Sequence, residues 1–155
     1  MKARLEGQGA PAKLWALFRQ MPRAEQVHGI RTCRALERCG FTDQDLLAAA
    51  LLHDVGKLVA PPSLWARILV VLIEHFAPSV AARWYDDLRP PTRLRGLRRA
   101  FVVRRYHPAW GAALAEEAGA SVRTVTLIRQ HHRETVTADS DAELVALQAA
   151  DEERL

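Results

Sequence analysis

Cysteine, lysine and aromatic residues are all scarce in this 155-residue chain, and each shortage excludes a class of protein. Two cysteines cannot staple a small secreted scaffold. Cys33 and Cys39 sit on what reads as one helix, which holds them too far apart to bridge, so they read as small buried hydrophobes of a reducing cytoplasm. Aromatics make up 6% of the chain and are not interleaved with the basic residues, which argues against a nucleic-acid groove. Lysine occurs only as Lys2, Lys13 and Lys57, so the net charge of +4 is carried mostly by arginine and favours small phosphate-bearing ligands. Eight glycines and eight prolines are too few for a fibrous or disordered chain. Long apolar runs are missing as well. The stretch MKARLEGQGAPAKLW has no leader-like core, and Leu64 to Phe76 is interrupted by Arg67, Glu74 and His75 and too short to span a bilayer. These absences predict a soluble cytoplasmic globule, one domain over 1–155, with its oligomeric state open and roughly 70% of its unfolded surface buried.

What is present is helical patterning with clear boundaries. Helices are predicted over 11–20 and 23–39, the second stopping at Gly40. Thr42-Asp43-Gln44-Asp45 resembles a capping box with Thr42 as the acceptor, opening a helix from Leu46 to Leu52 that is apolar on every face and so buried. Pro61-Pro62 breaks the chain before an apolar helix over 64–76, and Pro78 opens a helix to about Leu88. A basic helix over 93–105 is predicted to be separate from one that Pro108 starts and Gly119 ends. Ser121 caps 122–132, and Ser140-Asp141-Ala142-Glu143 opens the last helix. No run alternates as a strand would, so the fold class is all-α.

Polar residues in apolar surroundings carry the functional signal. His28 shares a helix face with Thr32, Ala35, Leu36 and Cys39, while Arg31, Arg34 and Arg38 face water. Alone, such a histidine reads first as a core residue bonded to a carbonyl. His53-Asp54 is harder to explain that way: a carboxylate at the negative end of the most apolar helix is costly unless paired or bound to a cation. Gly56 is expected to take a left-handed turn returning the chain to the site, and Lys57 to project a charge suited to a phosphate oxygen. His107, at the predicted helix start before Pro108, is expected to stay neutral and free to donate a lone pair. His131 and His132 differ by about 100° in direction and so take different roles. Asp151 follows an apolar segment but also reads as the start of an acidic tail. His75 belongs to no pattern and is assigned to surface or packing.

In order, His28, His53-Asp54, His107, His131-His132 and Asp151 resemble the HD domain superfamily of metal-dependent phosphohydrolases. AAALLHDVGK at 48–57, YHPAWGAAL around His107 and LIRQHHRE around His131 are the similar segments, and the likeness spans about 22–153. It implies a single-domain helical bundle of the HD type, with 58–104 as an insertion. It further implies that His28, His53, Asp54 and Asp151 hold one divalent ion. Asp54 would bridge to a second held by His107 and His131, with His132 a further ligand or phosphate contact and Lys57 neutralising phosphoryl charge. Mixed imidazole and carboxylate donors suit Mn, Fe, Co, Ni or Zn, with Mg admitted. The Gly-Tyr-Pro segment of cyclic-di-nucleotide phosphodiesterases is missing after His132. The implied reaction is hydrolysis of a phosphate mono- or diester, a nucleotide among the candidates, with Asp54 and Lys57 as catalytic residues. Arg93, Arg95, Arg98, Arg99, Arg104 and Arg105 lie just before His107; some of them suit a phosphate or base, and they read equally as a solvated basic helix face. Two other readings stay open: a di-iron oxygenase, and a metal-binding interaction module without turnover.

Overall fold

The computed structural model describes residues 1–59, 64–86, 97–132 and 141–153, and every regular element among them is helical. A 3-10 turn at Lys2–Leu5 precedes α1 (Pro11–Gln20), α2 (Arg23–Arg38) and α3 (Gln44–Leu52). A second 3-10 turn, Val55–Leu58, follows α3. Then come α4 (Leu64–Phe76), α5 (Pro78–Asp86), α6 (Leu97–Glu117), α7 (Val122–Gln130) and α8 (Ala142–Asp151). No described helix is long and apolar enough to cross a membrane.

Helix α3 is the axis of the fold. Every residue from Leu46 to Leu52 is buried, because α2, α7, α8 and the first 3-10 turn pack around it. Shortening any of its fully buried leucines to alanine would cost about 3 kcal/mol. The cap of α3 lies one residue later than the Thr42 box implied: Asp43 Oδ1 accepts from the amides of Asp45 and Leu46, each at 2.9 Å. That leaves the Asp45 carboxylate free for tertiary bonds. It accepts from Gln8 Nε2 and Ser121 Oγ, both at 2.7 Å, while Gln8 Oε1 accepts from the Ser121 amide at 2.8 Å. One satisfied polar network thus ties the first 3-10 turn, α3 and α7 together.

Sequence and structure diverge most at Pro108. It starts no helix: α6 runs unbroken through it from Leu97 to Glu117, joining the two predicted helices. Helix α4 differs too. Its apolar sequence suggests a core helix, yet among its described apolar side chains only Val70 is buried and Ile73 half-buried. They pack with Ala81, Ala100 and Phe101 in a cluster separate from the main core, while Val71 and Phe76 are exposed. Of the two cysteines, Cys33 is buried as expected but Cys39 is exposed. The last helix is capped by Asp141. Ser140 lies outside the described residues, as do the Pro61-Pro62 break, Arg93 and Arg95. The side chains of Trp65, Arg98 and Arg99 also lie outside them.

Candidate metal centre

Three histidines enter the centre by one backbone device. His53 and His131 are the C-terminal caps of α3 and α7, where the last carbonyls have no amide to accept from. His53 Nδ1 lies 2.9 Å from the Ala50 carbonyl, and His131 Nδ1 lies 2.7 Å from that of Ile128. A carbonyl only accepts, so Nδ1 carries a hydrogen and each Nε2 is turned inward. His107 does the same in mid-helix. Pro108 has no N–H to offer the Arg104 carbonyl, and His107 Nδ1 takes that place at 2.9 Å while also reaching the Val103 carbonyl at 3.0 Å. The proline therefore orients its neighbour from inside a helix instead of starting one.

The carboxylates lie between these rings. Asp54 Oδ1 is 3.3 Å from His107 Nε2, and Asp54 Oδ2 is 3.5 Å from His53 Nε2. Asp151 Oδ1 is 2.7 Å from His28 Nε2 and 3.1 Å from His53 Nε2, and its Oδ2 is 3.9 Å from His132 Nε2. All seven residues singled out by sequence as metal ligands therefore meet. His53, Asp54, His107 and His131 are buried, His28 and Asp151 half-buried, and His132 is exposed at the edge. His75 is exposed and takes no part.

Gly56 brings the two halves together, by a different route from the one expected. It lies within a 3-10 turn and not in the left-handed region, which among the described glycines only Gly40 and Gly119 adopt. It is needed for close approach: a Cβ there would lie 1.9 Å from the His107 carbonyl oxygen and 2.6 Å from the Gly111 nitrogen. The Asp54-bearing turn thus packs directly on the α6 backbone.

Lys57 lies at the site and is also held by two carboxylates. Its ammonium is 2.6 Å from Asp54 Oδ2 and 3.1 Å from Glu25 Oε2, so two of its three hydrogens are engaged by carboxylates. Glu25, on α2 and buried, is the site residue that sequence reading missed. Its spacing of three from His28, which puts both on one helix face, is the signal that could have found it. Beside Lys57 lies a cavity of about 130 Å3 walled by Val70, Ala100 and Val103 and edged by Arg104, His107 and His132.

Burial alone would raise the Asp54 and Asp151 pKa values. The surrounding imidazoles, with Lys57 acting on Asp54, more than offset it and hold both carboxyls well below their usual range. Burial likewise opposes a charge on His53, but Asp54 and Asp151 overcome it and push this imidazole up to about 10. Burial and neighbouring histidines hold His131 neutral and push His132 down to about 4.

These residues fit a cation. His53 Nε2 is buried and makes no hydrogen bond, although carboxylate oxygens lie on both sides. His107 Nε2 and His131 Nε2 face each other at 3.3 Å, two lone pairs that repel unless a proton or a metal lies between them. Three overlapping groups have donor atoms close enough to hold an ion: His28, His53 and Asp151; His53, Asp54 and His131; and His107, His131 and His132. Backbone carbonyls behind the imidazoles are the outer support usual for metal-ligating histidines. No family model, curated protein or solved structure matches this chain.

Proposed function

We propose that the chain is an HD-type bundle and a metal-dependent phosphohydrolase, cleaving a phosphate mono- or diester. The observation that carries the reading is the buried, unbonded Nε2 of His53 between two carboxylates, in a cluster of five imidazoles. His28, His53 and Asp151 would hold one divalent ion, and His107, His131 and His132 a second, with Asp54 between them. A bound pair of such ions supplies Lewis acidity, acidifying water and offsetting phosphoryl charge. The chain's own residues do the rest. Asp54, fixed by Lys57 and kept ionised, would orient a water by accepting its hydrogen bond at an Oδ atom. Lys57 has one remaining hydrogen for a phosphoryl oxygen, and Arg104, joined to Glu74 at 2.9 Å, borders the same cavity. The apolar wall of Val70, Ala100 and Val103 favours an uncharged portion of the leaving group.

The test is turnover of p-nitrophenyl phosphate, its bis-ester and a nucleotide panel with each of Mn, Fe, Co, Ni, Zn and Mg. Metal-dependent release that Asp54→Ala abolishes, with helical circular dichroism retained, is the expected result. Release unchanged in that variant, or absent with every metal, refutes the reading. The engagement of Lys57 by Glu25 keeps one competitor in view, since a lysine held by two carboxylates is less available to phosphate. Oxygen uptake by the iron-loaded protein in place of ester cleavage would favour the di-iron oxygenase.

A further inference from the structure

A groove of about 420 Å3 opens beside His28, bounded by Arg31, Arg34 and Arg38 of α2 and by Ala150 and Glu153 at the end of α8. The arginines recur at intervals of three and four residues, so they line one helix face for about 10 Å along its axis. None of the three makes an ion pair among the described residues, whereas Arg4, Arg104, Arg123 and Arg129 each do. Ala35 and Ala150 offer little bulk to keep a ligand from the floor. His28 belongs both to this groove and to the metal cluster, so the two are continuous.

We infer that this groove binds the distal phosphates of an oligophosphate anion whose nearest phosphoryl group lies at the His28 end of the metal centre. This rests on the phosphohydrolase reading for the fate of that phosphoryl group, not for binding in the groove. Guanidinium groups in sequence along a helix make forked, charge-assisted hydrogen bonds to successive phosphates, and three of them outweigh the single Glu153 carboxylate opposite. Glu153 and the negative end of α8 repel the anion, so it is held on the α2 wall. The substrate class this names is a nucleoside oligophosphate, an ester that also carries distal phosphates, in preference to a simple monoester.

Titration calorimetry with inorganic tripolyphosphate tests this on the full chain in chelator, so that the anion does not sequester metal. Binding should weaken at least tenfold in Arg34→Gln/Arg38→Gln and tighten severalfold in Glu153→Gln. It should change less than twofold in Arg19→Gln/Arg83→Gln, which removes the same charge elsewhere. Equal weakening in both double variants would mean general electrostatic attraction and would overturn the inference, as would no binding by the unaltered chain or preference for single-stranded oligonucleotide. With metal restored, KM for a nucleoside triphosphate should rise in Arg34→Gln/Arg38→Gln while p-nitrophenyl phosphate turnover is unchanged. Arginine-dependent binding without turnover of any ester removes the hydrolase reading and leaves the groove standing; turnover with arginine-independent binding does the reverse.

Discussion

Substituting Gly56 by alanine tests the contact that assembles the metal centre. The added Cβ would sit 1.9 Å from the His107 carbonyl oxygen, 2.6 Å from the Gly111 nitrogen and 2.8 Å from the His107 carbonyl carbon. All three are backbone atoms, so no side chain can swing aside. Restoring an ordinary contact separates the turn from α6 by roughly 1.5 Å. That movement carries His107 away from Asp54 and alters its spacing to His131, each now 3.3 Å from its Nε2. Overpacking against backbone falls at the upper end of its usual range, about 3 kcal/mol, or a melting temperature lower by about 6–12 °C for a domain of this size. Gly40→Ala is the control, because Gly40 has φ of +88° with nothing within 4 Å of an added Cβ, so it costs about 1 kcal/mol of strain far from the centre. The assay is thermal unfolding with and without divalent metal. The unaltered chain should gain about 2.7 kcal/mol at a hundredfold excess over Kd, Gly40→Ala should keep that gain, and Gly56→Ala should lose most of it. A Gly56→Ala protein that melts within 2 °C of the original and keeps its metal response would refute the packing argument.

Three further outcomes follow from other contacts. Native alkylation should modify only the exposed Cys39, because burial pushes the Cys33 thiol up to about 11; two equivalents before unfolding would contradict the burial of Cys33. Pro108→Ala supplies an amide that competes with His107 for the Arg104 carbonyl, so metal affinity by competitive chelation should fall severalfold with helicity intact; unchanged affinity would show that the proline does not orient the ring. Arg123 holds the Asp141 carboxyl below its ordinary pKa, so the pair stabilises the fold above about pH 4 and fades as pH falls through the folded value. The pair is largely solvated, so Asp141→Asn should narrow the difference in melting temperature between pH 7 and pH 3 by only about 1–2 °C, and a wider difference would reverse the sign assigned here.

The clustering of these histidines and carboxylates was legible in sequence because burying a charged or imidazole side chain is costly enough to be conspicuous. His53-Asp54 ends the most apolar helix, and the other donors lie on or beside predicted helix faces. Helix α2 was legible for a similar reason, with Pro22 before it and Gly40 after it. What escaped depended on tertiary context. Pro108 looks like a helix start until the His107 ring takes the hydrogen bond its nitrogen cannot make. Glu25 looks like an ordinary first-turn acid until Lys57, 32 residues away, closes on it. Gly56 was singled out for backbone freedom, whereas the fold needs its missing Cβ, which only the approach of α6 reveals. Helix α4 reads as core because composition cannot say how many neighbours a helix has.

The imidazole device explains why a cluster so rich in lone pairs is compatible with folding. At two helix ends and one proline, a carbonyl lacking an amide partner is satisfied by Nδ1, so each ring is oriented by a bond that the backbone needs in any case. The inward Nε2 atoms are then held in place before any cation arrives. Asp54 and Asp151 lie on either side of His53, and without metal their charge overcomes the cost of burial and draws a proton onto it. A divalent ion bound there would have to displace that proton, so loading would release acid and couple affinity to pH. Helix termination and the proposed cation binding would therefore use opposite nitrogens of the same rings, and a substitution that frees the Ala50, Arg104 or Ile128 carbonyl from its imidazole would loosen both at once.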